Sequence, residues 1–300
     1  MSAKLTRHLI RPLVLLFAGA GTLVLTTGPA SAAVPGLVRI SAISAFNAAS
    51  PKTITATCPV GKELLGTGFE VTGGAGEVLV EDLVPNGGPA TAPTAVTANA
   101  VEEDPLATGW SVTAYAICAD PVPGLVRISA TGPGNPNNFK GTTASCPATK
   151  TLTGAGYGIT IGVGGEAEVD DFVPNGGVAV APTSIAVGAF ETDPNFAGNW
   201  SLSAYAICAD PLPGQVRVQA AGPGGSPDFQ SATAVCPAGK TLTGGGYDLL
   251  GTNGEALVDD FRPGGGVAAA PTSMTSLAYD ADPNFAPNWI QLGYGICADA

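Results

Sequence analysis

The sequence predicts an all-β protein made of three tandem β-sandwich-like repeats, each closed by its own disulfide. Three observations predict this class. One pattern of residues occurs three times along the chain. An internal repeat must be recognised first, because missing it leads to the wrong fold assignment. Glycine and proline are abundant, at 42 and 26 of 300 residues, and short runs rich in Val, Thr and Ile lie between them. Each copy also contains one early and one late cysteine.

The three copies begin and end with the same short motifs. Each opens on Pro-Gly-x-Val-Arg and closes on Ile-Cys-Ala-Asp. We therefore place the repeats at 33–120, 121–210 and 211–300, after a leader at 1–32. About six strands are expected in each copy, and in the second they lie near 125–130, 142–147, 151–159, 166–172, 183–190 and 200–208. The alternative architecture is one pseudo-threefold body that resembles a β-prism.

The leader has the three parts of a secretory signal peptide. Lys4, Arg7 and Arg11 precede an apolar run at 13–25, and the small residues of Ala30-Ser31-Ala32 precede the predicted cleavage site. The apolar run is shorter than the about 20 residues that a membrane helix needs. We expect a secreted, extracellular protein with no membrane span after cleavage.

Cleavage would change the inventory of reactive side chains. It removes the single histidine, His8, and leaves nine basic and 24 acidic residues, a net charge of −15. Without an imidazole, Ser-His-Asp and Cys-His catalysis has no base. The acidic balance argues against a nucleic-acid partner, because nucleic acid is bound through Lys and Arg.

The cysteines predict internal cross-links. Disulfides are expected after export to an oxidising compartment, and repetition selects one of the fifteen pairings that six cysteines allow. Each bridge would close a loop of about 60 residues. In the chain-entropy model, closing such a loop stabilises the folded state by about 4 kcal/mol. The expected bridges are Cys58–Cys118, Cys146–Cys208 and Cys236–Cys297.

Two further repeated features have structural interpretations. Glycine pairs at 66/68, 154/156 and 244/246 resemble phosphate loops. β-type residues surround them, however, which favours β-bulges or a close approach of strands. One tryptophan precedes the last strand of each copy, and we expect it in the core, with a sugar-stacking platform as the alternative. These residues are Trp110, Trp200 and Trp289.

Candidate ligand-binding residues lie in the Asp-Pro-Asn-Phe segments of the second and third copies. Phe196 and Phe285 are expected to be exposed there, beside Asn195 and Asn284. An exposed aromatic ring next to an amide is typical of a binding edge. The sequence therefore predicts a binding edge at these segments.

Acidic residues are the only candidate chemistry, and no catalytic residue is predicted among them. Positions i and i+4 of one strand lie about 13 Å apart on the same face, farther than the roughly 5–9.5 Å between the carboxyl groups of glycosidases. Carboxylates suit Ca²⁺, so calcium is the one cofactor the sequence suggests. The competing interpretation is a solvated sheet edge whose charges discourage aggregation. The candidate calcium ligands are Glu77, Glu81, Glu166, Asp170, Asp171, Glu255, Asp259 and Asp260.

Two segments carry a resemblance to a known group of proteins. Cys-Pro-Ala-Gly-Lys-Thr-Leu-Thr-Gly-Gly-Gly at 236–246 and Asn-Trp-Ser-Leu-Ser-Ala-Tyr-Ala-Ile-Cys-Ala-Asp at 199–210 resemble uncharacterised secreted repeat proteins of actinomycetes. The resemblance extends over all three copies and implies no activity and no site residues.

The sequence favours a non-catalytic protein of the cell exterior. We expect it to bind or scaffold a glycan, an envelope component or a protein, because three similar weak sites on one chain gain avidity. The alternative is a carboxylate-dependent hydrolase of extracellular polysaccharide.

Overall fold

The structure is a computed structural model that describes residues 34–74, 76–163, 165–192, 196–252, 254–280 and 288–300. The predicted signal peptide and the candidate residues Asn195, Asn284 and Phe285 lie outside the described residues. The described part contains 18 strands and no helix, which confirms the predicted all-β class. It therefore also contains no helix that could cross a membrane.

Each repeat contributes six strands. Those of repeat 1 are β1 (Val38–Ile43), β2 (Lys52–Thr57), β3 (Glu63–Thr72), β4 (Val78–Pro85), β5 (Ala95–Glu102) and β6 (Ser111–Ala119). Those of repeat 2 are β7 (Val126–Thr131), β8 (Phe139–Ser145), β9 (Thr151–Thr160), β10 (Ala167–Pro174), β11 (Ser184–Glu191) and β12 (Ser201–Ala209). Those of repeat 3 are β13 (Val216–Ala221), β14 (Phe229–Val235), β15 (Lys240–Leu250), β16 (Ala256–Pro263), β17 (Ser273–Asp280) and β18 (Ile290–Asp299).

The strands form three six-stranded sheets, and every sheet takes three strands from each of two repeats. The orders are β1-β6-β3-β16-β17-β14, β2-β5-β4-β9-β12-β7 and β13-β18-β15-β10-β11-β8. Two repeats therefore meet inside each sheet, and we call these pairings the 1–3 seam (β3 with β16), the 1–2 seam (β4 with β9) and the 2–3 seam (β10 with β15).

The predicted three disulfide-closed β repeats are present, and the seams join them into a single closed pseudo-threefold body, the packing of the predicted alternative. A three-stranded half-sheet on its own would expose a row of unpaired backbone N–H and C=O groups along strands such as β3 and β4. Pairing across each seam joins two residues of one strand to two of the other and so covers part of that edge. The three repeats are thus one cyclic unit.

Within each repeat, one disulfide joins the two half-sheets. The bridges are Cys58–Cys118, Cys146–Cys208 and Cys236–Cys297, which confirms the predicted pairing. The three tryptophans are buried, as expected for core anchors.

The inner strands approach closely around the pseudo-threefold axis, and the repeated glycines allow this. A Cβ atom on Gly154 would lie 2.3 Å from the carbonyl oxygen of Leu65 in the neighbouring repeat, and one on Gly244 would lie 2.4 Å from that of Thr153. A β-bulge also precedes Gly66 in β3. Both predicted explanations of the glycine pairs are therefore confirmed. Five buried aromatic rings fill the space beside them: Phe69, Tyr157, Phe172, Tyr247 and Phe261.

The arginine of each opening motif donates a hydrogen bond to a neighbouring repeat. Arg127 stacks over the ring of Tyr205, with 5.0 Å from guanidinium carbon to ring centroid, and its Nη1 donates to the carbonyl oxygen of Pro85 at 2.8 Å. Arg39 and Arg217 make the equivalent pair of contacts, each stacking on a tyrosine of its own repeat and donating to a proline carbonyl oxygen of a neighbouring repeat. This inter-repeat contact is a physical reason for the recurrence of the motif.

Candidate functional site

An open groove of about 450 Å³ lies on the outer face of the sheet shared by repeats 2 and 3. Strands β8, β11 and β10 form it side by side. Its lining residues are Phe139, Gly141, Thr142, Thr143, Asp171, Val173, Ala186, Val187 and Gly188.

The floor of the groove is a pair of glycines. Gly141 and Gly188 lie directly opposite each other in the β8–β11 register, so neither strand places a side chain between the two walls. The corresponding pairs in the other repeats carry side chains. They are Thr53 with Asn99, joined by a hydrogen bond of 2.9 Å, and Ser231 with Leu277.

An aromatic ring forms one wall. The Phe139 residue is 47% exposed, and its ring is held from behind by the ring of Phe190, with centroids 4.8 Å apart. Because Phe190 supports it, the ring can present a fixed apolar face to the groove. Repeat 3 has a related pair, Phe229 and Tyr279, at 5.9 Å.

The carboxyl group of Asp171 forms another wall. Asp171 faces Asp248 across the 2–3 seam, and a Cβ on Gly188 would lie 2.5 Å from Asp171 Oδ2. Tyr294 donates its hydroxyl proton to Asp248 Oδ2 at 3.2 Å. Burial, followed by the hydrogen bond and charge of Asp171, raises the pKa of Asp248 to about 7. The two carboxyl groups therefore interact across the seam, and the charge of Asp171 favours the protonated form of Asp248.

At the other two seams, the carboxyl groups have different interaction partners. At the 1–3 seam, Glu70 faces Asp260, and Arg262 donates to Glu70 Oε1 at 2.6 Å. At the 1–2 seam, Asp82 faces Gly158 and accepts a hydrogen bond of 3.2 Å from the backbone N–H of Ile159. Hence the groove lies beside the seam where two carboxyl groups face each other without an arginine bridge.

Three of the predicted calcium ligands are buried, which corrects the interpretation of these acids as a solvated edge. Glu81, Asp170 and Asp259 are each the extra residue of a β-bulge, and each is buried. The bulge breaks the alternation of faces, so the residue before it and the bulged acid are both buried. Burial, as the largest cause, raises the pKa of Glu81 to about 7, that of Asp170 to about 8 and that of Asp259 to about 7.

The remaining predicted ligands do not join them in a metal site. Glu77, Glu166 and Glu255 each immediately precede a strand, whereas Asp171 and Asp260 lie at two different seams. Within the described ranges, no group of three or more Asp, Glu, His or Cys side chains is placed to hold a metal ion.

One buried acid was missed by the sequence reasoning. Glu168 is 4% exposed, and neither of its carboxyl oxygens has a hydrogen-bond partner among the described residues. Burial raises the pKa of Glu168 well above its ordinary value, and the nearby charges of Asp170, Glu103 and Glu255 add to this. The other copies have Leu79 and Leu257 at this position, so its departure from the repeat was the available signal.

Of the binding residues predicted from the Asp-Pro-Asn-Phe segments, Phe196 is described, and it does not line the groove. Phe196 is half-buried and lies against a loop whose glycines make room for its ring: a Cβ on Gly165 would lie 2.7 Å away, and one on Gly198 would lie 2.4 Å away. The groove residues Phe139, Gly141 and Gly188 were not singled out from the sequence. For Gly141 and Gly188, the available signal was a glycine in one copy at a position where the other copies carry a side chain.

Comparison with known proteins does not assign the chain to a family. It matches no protein-family model and no curated protein. We therefore base the functional proposal on the groove.

Proposed function

We propose that this chain is a secreted, non-catalytic glycan-binding protein and that the groove of repeat 2 is its binding site. The observation that carries the proposal is the geometry of the groove. An exposed aromatic ring, that of Phe139, and the carboxyl group of Asp171 border a floor of two opposed glycines. The groove volume of about 450 Å³ lies in the range that is typical of small-ligand sites.

The two walls match the two kinds of surface on a sugar. A pyranose has a face of C–H groups and an edge of hydroxyl groups. The Phe139 ring can bury the C–H face, and the Asp171 carboxylate can accept hydrogen bonds from the hydroxyl groups. Thr143 adds a hydroxyl group at the lining. A few polar groups on an otherwise apolar surface are typical of small-ligand sites.

The proposal places one groove on the protein rather than three equivalent sites. The pairs Thr53–Asn99 and Ser231–Leu277 fill the corresponding positions in repeats 1 and 3. In this view, the other repeats complete the sheets and hold the groove rigid. Avidity from three similar sites is then not part of the mechanism.

The lining of the groove favours binding over hydrolysis. Glycosidases generally use two carboxyl groups that flank the scissile bond, about 5–5.5 Å apart in retaining enzymes and about 6.5–9.5 Å apart in inverting ones. The described lining residues include a single carboxyl group, that of Asp171. Extracellular location is supported by the leader and by three formed disulfides, which are typical of oxidising compartments.

The test is binding of the secreted protein to a panel of polysaccharides and their oligosaccharides, measured by calorimetry together with reducing-sugar release. We expect binding without release. Phe139→Ala should weaken it at least about tenfold, since a stacked aromatic ring is lost. Phe229→Ala, the matched change in repeat 3, should leave it unchanged. The proposal is wrong if no glycan binds or if both variants behave alike.

A further inference from the structure

The charge of the groove points to the chemistry of its ligand. Its acidic wall is Asp171, which faces Asp248 across the 2–3 seam. Asp248 Oδ2 accepts the Tyr294 hydroxyl proton, but Asp248 Oδ1 is buried without a hydrogen-bond donor among the described residues. Two facing carboxyl groups can share one proton, and even then one negative charge remains on the wall.

No cation neutralises this wall from within the groove. The described lining residues include no Lys or Arg. The position of Arg262, which donates to Glu70 at the 1–3 seam, is taken by Val173 in repeat 2. A cationic ligand would therefore complement the charge of this wall.

The basic side chains of Arg217 and Lys140 make other contacts. Arg217 stacks on Tyr294 and donates Nη1 to the carbonyl oxygen of Pro174 at 2.8 Å. Lys140 lies over the Trp200 ring at 4.6 Å and donates to the carbonyl oxygen of Asn135 at 2.9 Å. Neither side chain can turn to the groove without breaking these contacts.

We infer that the groove selects a glycan with free amino groups, such as a glucosamine polymer, over neutral and acidic glycans. The inference rests on the proposed function and deepens it. A protonated amine on the sugar would reach the Asp171 carboxylate in a charge-assisted hydrogen bond, which is about twice as strong as a neutral one. The aromatic wall favours the same ligand, because the face of an aromatic ring attracts a nearby ammonium group. Anionic glycans would be repelled by the carboxyl pair.

The experiment compares three hexasaccharides that differ only at one substituent. They are the β-1,4-linked hexamers of glucosamine, N-acetylglucosamine and glucose, titrated calorimetrically into the secreted protein at a pH where the amine is protonated. We expect the amino hexamer to bind about tenfold more tightly than the other two. Asp171→Asn should abolish this preference, and the matched change Asp260→Asn at the 1–3 seam should keep it.

Gly141→Thr provides a second variant, which fills the groove without altering a charge and should abolish binding of the amino hexamer. Equal binding of all three hexamers would overturn the inference while the proposed function stands. Failure of all three to bind, with no other glycan bound either, would overturn both. A lysine peptide of equal charge that binds as tightly as the amino hexamer, and is equally weakened by Asp171→Asn, would replace the glycan with a basic protein partner.

Discussion

Gly141 and Gly188 lie directly opposite each other on β8 and β11, and together they leave a gap in the side chains of the outer sheet face. The same two positions hold Thr53 and Asn99 in repeat 1 and Ser231 and Leu277 in repeat 3. The repeats share a fold, but a single opposed glycine pair distinguishes the one that has a groove.

Filling the gap should abolish binding without damage to the fold. A Cβ on Gly141 would lie 3.6 Å from the nearest atom, Cε1 of Phe139, which is an ordinary contact. Gly141→Thr introduces the residue that repeat 1 already has, so the melting temperature should stay within a few degrees while glycan affinity falls at least about tenfold. Ser231→Thr is the matched control in repeat 3 and should change neither. Unaltered affinity in Gly141→Thr would mean that the ligand binds elsewhere.

Replacing the buried Glu168 should stabilise the protein. Its two carboxyl oxygens are buried without a partner in the described structure, and the equivalent residues are Leu79 and Leu257. We expect Glu168→Leu to raise the free energy of unfolding by about 1–3 kcal/mol, because an unpaired polar group leaves the core. Urea denaturation at pH 7 measures this.

The reciprocal variant is the control for Glu168. Leu257→Glu places a second unpartnered carboxyl group at the equivalent position of repeat 3, where Leu257 is buried, and should lower the free energy of unfolding. A Glu168→Leu protein less stable than the parent would instead indicate that Glu168 holds a ligand or cation in the folded state.

The buried acids predict an unusual pH dependence of stability. Burial raises the pKa of Glu81 to about 7, of Asp170 to about 8 and of Asp259 to about 7, whereas the unfolded chain titrates near pH 4. The folded state therefore holds protons that the unfolded state releases. This contribution to stability is fully present below about pH 4 and is lost as pH rises through about 7–8.

A series of urea midpoints from pH 4 to pH 9 tests this pH dependence. We expect the midpoint to fall across the series, and Asp170→Asn should flatten the slope, since the amide has no proton to lose. If the midpoint rose with pH instead, the prediction would be wrong, and the pKa values of these acids would have to be near their ordinary values.

The close approach at the pseudo-threefold axis should make its glycines irreplaceable. A Cβ on Gly154 would lie 2.3 Å from the Leu65 carbonyl oxygen and 2.6 Å from Gly66 Cα, and backbone atoms cannot move aside. We expect Gly154→Ala to cost about 3 kcal/mol of stability in thermal or urea unfolding. Gly177→Ala, where no atom lies within 4 Å of the added Cβ, should cost nothing. Equal stabilities would refute the packing of the inner strands.

The strands and the disulfides could be predicted because each is a property of one repeat. Cysteine spacing identified Cys146–Cys208 without knowledge of the fold. The seams could not be predicted in the same way. A strand such as β10 has the same alternation whether it pairs with β9 of its own repeat or with β15 of the next. The period of the sequence shows how many units there are, but not which unit each edge pairs with.

The candidate site was harder to predict because it depends on departures from the repeat. Strand alternation alone would place the adjacent residues Val169 and Asp170 on opposite faces. Both are buried because Asp170 is the extra residue of a β-bulge. Gly141 and Gly188 become neighbours through the β8–β11 pairing. They are far apart in sequence, so neither glycine alone indicates a groove.

The most direct test of the account is chemical-shift mapping of backbone amides during titration with a glucosamine hexamer. We predict that the amides of Gly141 and Gly188 and their neighbours on β8, β10 and β11 shift, while Thr53, Asn99, Ser231 and Leu277 in the other repeats do not. Shifts spread equally over all three repeats, or confined to a surface away from β8, β10 and β11, would contradict it.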